Sequence, residues 1–196
     1  MKHLVILSFV LSSVVFSTQW DVDGAHASAV FKIRHMTVSN VSGEITGMTG
    51  SLKVDDKDNN HMALEGSLDM NTINTNNKER DNHLKAPDFF DVKKFPNATF
   101  KSKIISKGAG DKVTLVGDFT LHGVTKEVTI EGELTSAIKD PFGKVRRGLS
   151  GTTQINRKDF GISWNKVLDN GGFALGDTVD VSIEIELVQP AKDKKG

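Results

Sequence analysis

Apolar and polar residues alternate along most of this chain, and that period of two is what most limits its fold. Val179-Asp180-Val181-Ser182-Ile183-Glu184-Ile185-Glu186-Leu187 alternates without a break. Successive side chains of a β-strand point to opposite faces, so this run presents one aliphatic face and one mostly acidic face. Val113, Leu115, Gly117, Phe119 and Leu121 repeat the pattern, interrupted only by Val116. Val124, Val128, Ile130 and Leu134 form one face of the following run, and His122-Gly123 between the two reads as a tight hairpin turn. Further strands are expected over residues 28–35, 41–54, 63–70, 98–106 and 148–156, with polar turns over 55–60 and 107–111. Gly43, Gly47 and Gly50 stand inside one of these strands, where bends or bulges are expected. About eight long strands with one apolar face each predict an all-β antiparallel barrel or sandwich. A barrel of that size has an interior that is filled by side chains or holds one small ligand.

One segment departs from the alternation. Residues 80–100, RDNHLKAPDFFDVKKFPNATF, pack an Arg-Asp pair, a His-Leu pair and adjacent Phe residues into a short span. Helical turns are expected over 76–84 and 87–92, the second with Pro87 at its first position. A short aromatic-rich helical plug inside an all-β chain suggests a cap on the end of a barrel.

The 196 residues allow one ordinary domain, and no linker or fixed-period repeat divides them. Residues 18–190 are read as a single domain, with 191–196 as a polar tail. Lys+Arg and Asp+Glu are equal at 25 each, which leaves no electrostatic footprint for nucleic acid. The absence of Cys excludes disulfides, thiolate metal sites, Cys nucleophiles and a lipoprotein anchor. Met1-Lys2-His3 followed by a short apolar run, with Val15 and Ser17 at small-residue positions, reads as a signal peptide over 1–17. The apolar run of about 13 residues is well short of the roughly 20 needed to span a bilayer. A periplasmic or secreted protein with no stable membrane insertion is expected. Oligomeric state, a homodimer included, is left open.

No catalytic motif stands out. There is no Walker loop, no G-x-G-x-x-G and no G-x-S-x-G elbow, and His26, His35, His61, His83 and His122 share no metal-ligand spacing. No metal or cofactor is expected. Arg80, Asp81 and His83 admit an acid–base reading, in which Asp81 orients His83 and Arg80 clamps an anion. The favoured reading is structural: Arg80 and Asp81 are satisfied pairs that tie the plug to the barrel. His83 and His26 are grouped with them as structural or rim polar residues. Tyr is absent while Phe numbers 11, so aromatic surface lacks a polar handle and suits a core or an apolar cavity.

These segments, in their order, resemble the YceI-like, polyisoprenoid-binding family. The resemblance runs from Trp20 to about Val188. It rests on Trp20-Asp21-Val22-Asp23 with His26, then FKIRHMTV from Phe31 and Val41-Ser42-Gly43. It continues through Arg80-Asp81-Asn82-His83-Leu84, Asp88-Phe89-Phe90-Asp91 and Phe95-Pro96. Gly117 to Lys126 and Asn156 to Ile162 complete it. Two departures are visible: Ala27 follows the opening His where a small hydroxyl is usual, and His122 stands where Arg is common. The resemblance implies an extended, eight-stranded, lipocalin-like antiparallel barrel with an apolar tunnel for an isoprenoid lipid, and no catalytic residues. The task implied is carriage, storage or stress protection. From alternation, the tunnel lining is expected to include Phe31, Ile33, Phe119, Leu121, Phe160, Ile162 and Trp164. The plug is expected to add Leu84, Phe89, Phe90 and Phe95, and His35 at its strand end is counted with them.

Overall fold

Every run of alternation is a strand. In a computed structural model, residues 17–55, 61–169 and 171–191 are described. The strands are β1 (Ser17–His35), β2 (Ser39–Ile45), β3 (Met48–Asp55), β4 (Met62–Asp69), β5 (Asn97–Lys107), β6 (Lys112–Leu121), β7 (Val124–Leu134), β8 (Ile138–Lys139), β9 (Val145–Asn156) and β10 (Leu175–Val188). Eight of them close an antiparallel ring in the order β1-β3-β4-β5-β6-β7-β9-β10, with β10 returning to β1. The fold is a closed antiparallel barrel with one short helix, as expected. Closure leaves the ring without free edges.

The two remaining strands lie off the ring. β8 is a short strand on β9, and β2 pairs with the second half of β1. One edge of β1 therefore takes β3 over Ser17 to Asp21 and β2 over Ala29 to His35. The expected single strand over 41–54 is this pair, broken at Thr46-Gly47. Gly47 has φ +66°, a left-handed conformation that glycine adopts at low cost. The freed backbone is satisfied from elsewhere: Thr46 N donates to the Thr72 hydroxyl at 3.0 Å, and Glu44 bridges Asn74.

Here the helical segment enters the barrel. A 3₁₀ turn at Met70–Thr72 leads to α1 (Lys78–Leu84). Asn77 caps α1, its side chain accepting from Arg80 N at 3.0 Å. The second helix expected over 87–92 is absent; the chain folds there in successive turns. Phe90 N donates to Leu84 O and Phe95 N to Asp91 O, with Asp91 at φ +44°. Those turns bury Phe89 and Val92 together, and that burial, not helix geometry, decides the conformation. The expected signal peptide lies outside the described residues except for Ser17, which begins β1. The expected turn at 55–60 lies outside them beyond Asp55, and the expected tail beyond Ala191.

The interior divides along the barrel axis. Trp20, Leu52, Leu115, Leu149 and Leu187 close-pack in one half. The other half is bordered by a second cluster that includes Met70, Ile73, Phe89, Phe160 and Ile162. β1 crosses between the halves through a bulge: Val22 pairs Leu187 and Ala27 pairs Ile185, so residues 23–26 loop out.

Candidate functional site

The second half of the barrel is hollow. A cavity of about 240 Å³ opens there. Phe31, Ile33 and His35 on β1 line one wall, facing Phe119 and Leu121 on β6. Leu84, Phe89 and Phe90 from the helical segment close it from the side, with Ile162 and Trp164 from the chain before β10. Phe31, Ile33, Phe119 and Leu121 thus have the inward parity assigned from alternation.

Two of the expected lining residues do not reach it. Phe160 is buried behind the wall, edge-to-face with Phe119 at 5.6 Å between ring centroids. Phe95 sits outside, over the His122-Gly123 hairpin. Its ring lies 4.9 Å from the His122 ring, and a Cβ on Gly123 would come within 2.4 Å of it. His122 takes the left-handed position at φ +52° and its Nδ1 meets Phe160 O at 3.1 Å. The expected lining also left out Ile45 on β2, Met70, and Val179 and Val181 on β10, although the last two stand on the aliphatic face of an alternating run.

A glycine shapes the cavity. Gly43 on β2 pairs Phe31 on β1. A Cβ on Gly43 would lie 2.4 Å from the Phe31 ring and 2.7 Å from the Thr75 methyl. The edge of the ring sits over bare backbone, in the place a side chain at 43 would take.

Four polar side chains border this apolar space: His35, Arg80, His83 and Arg157. Three of them have identified partners within the protein. Arg80 Nε donates to the Thr75 hydroxyl at 2.7 Å and its Nη2 to Thr75 O at 2.8 Å. Asp81 Oδ1 accepts from Thr75 N at 2.8 Å and from the Thr75 hydroxyl at 2.6 Å. Arg80 and Asp81 are satisfied, but by Thr75 on the chain leading into α1, not by the barrel strands to which they were expected to tie the plug and not by each other. Thr75 is buried and was not singled out by any motif. His83 Nε2 meets Asp88 Oδ2 at 2.8 Å, and its ring stands edge-on to Phe89 and Trp164. That hydrogen bond holds the Asp88 carboxyl below the usual carboxylate range. The Asp81–His83 pair needed for the acid–base reading is not formed; each residue has a different partner.

Arg157 is the buried cation of the site. Its Nε donates to Gly176 O at 2.8 Å, and Nη1 to Ile162 O and Trp164 O, each at 2.8 Å. Asp177 stands 3.3 Å from Nη2. Burial pushes its pKa down, opposed by Asp177. The guanidinium pins the chain carrying Ile162 and Trp164 to the start of β10. Among the described residues, no buried side-chain nitrogen or oxygen lacks a partner.

His26 lies in the β1 bulge, apart from the cavity, 3.3 Å from Asp23. Asp23, His26 and Glu186 gather their donor atoms within 4.8 Å. Both carboxylates already bind Arg146, Asp23 at 2.7 Å, and the guanidinium places a positive charge where a metal ion would have to sit. The cluster reads as a structural clasp between the bulge, β9 and β10. Among the described residues no helix is long and apolar enough to cross a membrane.

Known proteins share this barrel. The Burkholderia cenocepacia BcnA structure superposes with a TM-score of 0.72 at 21% identity, covering 84% of this chain and 98% of that one. A polyisoprenoid binding domain from Saccharophagus degradans, implicated in plant cell wall breakdown, gives 0.62 at 13% identity, covering 87% and 98%. In sequence, a UPF0312 protein of Vibrio campbellii is 37% identical over 170 residues, 86% of this chain and 85% of that one. The YceI-like domain pattern matches residues 20–187, a span that takes in both the packed half of the barrel and the hollow one, and the chain belongs to the YceI-like family.

Proposed function

We propose that this protein is a non-enzymatic binder that holds the tail of an isoprenoid lipid in the hollow half of its barrel. The carrying observation is an apolar cavity of about 240 Å³ in which Arg80, His83 and Arg157 are already partnered by the protein. Such a space favours hydrocarbon: each buried CH₂ contributes about 0.8 kcal/mol. The volume lies just under the roughly 300–1,000 Å³ of ordinary ligand pockets. As shaped it takes a section of a branched chain, and the remainder of a long one extends from the mouth. The similarity to a polyisoprenoid binding domain supports the same ligand class.

Carriage or storage of such a lipid outside the cytoplasm goes with this reading. A mature mass lacking the first 17 or so residues, in protein recovered from its host, checks the location. The ligand is tested by mass spectrometry of organic extracts of natively purified protein, where an isoprenoid is expected. Phe119→Asp, inside the cavity, is expected to lower isoprenoid affinity by at least about tenfold. Thr120→Asp, on the opposite face of β6, is expected to leave it near the wild-type value. Extracts without isoprenoid, together with equal behaviour of the two variants, would refute the reading.

A further inference from the structure

We propose that His35 reads the polar end of the ligand, so that the cavity selects an isoprenoid bearing a hydroxyl or carbonyl oxygen over a hydrocarbon of the same skeleton. The inference rests on the lipid-binding reading and deepens it. Of the four polar side chains that border the cavity, three are spent on the protein. Arg80 holds Thr75, His83 meets Asp88, and Arg157 holds three backbone carbonyls. His35 differs. Among the described residues its ring makes no hydrogen bond, ion pair or ring contact. The residue is half-buried, and neither ring nitrogen is sealed off.

Its place on β1 gives that ring a direction. Ala29, Phe31, Ile33 and His35 are successive residues on the inward face of the strand, and all line the cavity. The first three are apolar. The period of two calls for another apolar side chain at 35, and the chain puts an imidazole there. Ala29 also belongs to the close-packed half. His35 stands further along the strand, about 20 Å from it at about 3.3 Å per residue. Backbone pairing fixes the position on both sides, with Leu175 on β10 and Ser39 on β2. The wall along β1 thus runs from apolar to polar, and a ligand laid along it with its tail toward Ala29 brings its other end toward His35.

The chemistry follows from the ring. A neutral imidazole carries one donor and one acceptor. It can donate to a carbonyl oxygen, or either donate to or accept from a hydroxyl. Beside apolar walls such a bond is stronger than in water. A hydrocarbon filling the same space strips water from the ring and returns no hydrogen bond, so it binds at a penalty. A ring that served only as wall would be replaceable by Phe without changing which ligands are preferred.

The test compares an alcohol with its parent hydrocarbon. Wild type, His35→Phe and His35→Gln are titrated with farnesol, a short isoprenoid alcohol, and with farnesene, the hydrocarbon of the same skeleton. The readout is the ratio of the two affinities. Each ligand's free energy of leaving water is common to all three proteins and cancels when the ratios are compared. His35→Phe is expected to lower the farnesol-to-farnesene ratio by about tenfold. His35→Gln, which keeps a donor and an acceptor, is expected to restore most of it. The His35 ring resonances of wild type are expected to move with farnesol and to stay in place with farnesene, a measurement that needs no folded variant. A ratio that His35→Phe leaves unchanged, or ring resonances that respond alike to both ligands, overturns the assignment and leaves the cavity reading standing. If wild type binds neither ligand, the cavity reading fails and this inference fails with it.

Discussion

Thr75 shows how much one small side chain can carry. Its hydroxyl and carbonyl accept from Arg80, and its N–H and hydroxyl donate to Asp81. Thr75→Ala removes the hydroxyl from between a guanidinium and a carboxylate and is expected to destabilise by about 2–3 kcal/mol, measured by denaturant unfolding. Gly43 carries a different load. Gly43→Ala would press a methyl against the Phe31 ring, 2.4 Å from the added carbon, and drive that ring into the cavity. Isoprenoid capacity is expected to fall sharply, and the paired variant Gly43→Ala/Phe31→Ala to recover it, both read by ligand titration. The sequence exposes only part of this. The inward parity of Phe31, Ile33, Phe119 and Leu121 is legible because alternation is a local property of a strand. Thr75 and Arg157 are not, because their value depends on which distant carbonyls and carboxylates fold up beside them. Phe95 and Phe160 mislead for a related reason: an aromatic residue signals burial but not which side of a wall it is buried on.

At the scale of elements, local chemistry marks where regular structure stops. Asn77 caps α1 and Gly47 turns the break between β2 and β3. The glycines within 41–54 mark a bend, yet they do not show that the helical segment will supply the missing partner at Glu44. The second helix expected after Pro87 fails because burying Phe89 and Val92 together outweighs a few helical hydrogen bonds. The clasp around the β1 bulge has a pH signature. Arg146 holds the Asp23 and Asp140 carboxyls below their ordinary pKa of 3.8. A carboxylate whose folded pKa is depressed stabilises the fold above its unfolded pKa, and that contribution is lost as pH falls through the folded value. Thermal stability is therefore expected to hold from neutral pH to about pH 4.5 and to drop below 3.8. Asp23→Asn should lower the neutral-pH melting temperature and flatten the acid decline, as checked by melts across pH.

The whole molecule is a barrel of two unlike halves, one close-packed around Leu52, Leu115 and Leu187 and one left open. A blind floor has a kinetic consequence. A chain seated against that packed half cannot be pushed out from behind by a second one. Exchange is then strictly sequential: departure first, replacement after. The release rate of a bound fluorescent isoprenoid is expected to stay constant as unlabelled competitor is raised, in stopped-flow displacement. A rate that climbs with competitor would mean that the floor opens or that two tails share the chamber. For the proposed isoprenoid ligand, the same dead end would set a depth against which an entering tail is measured.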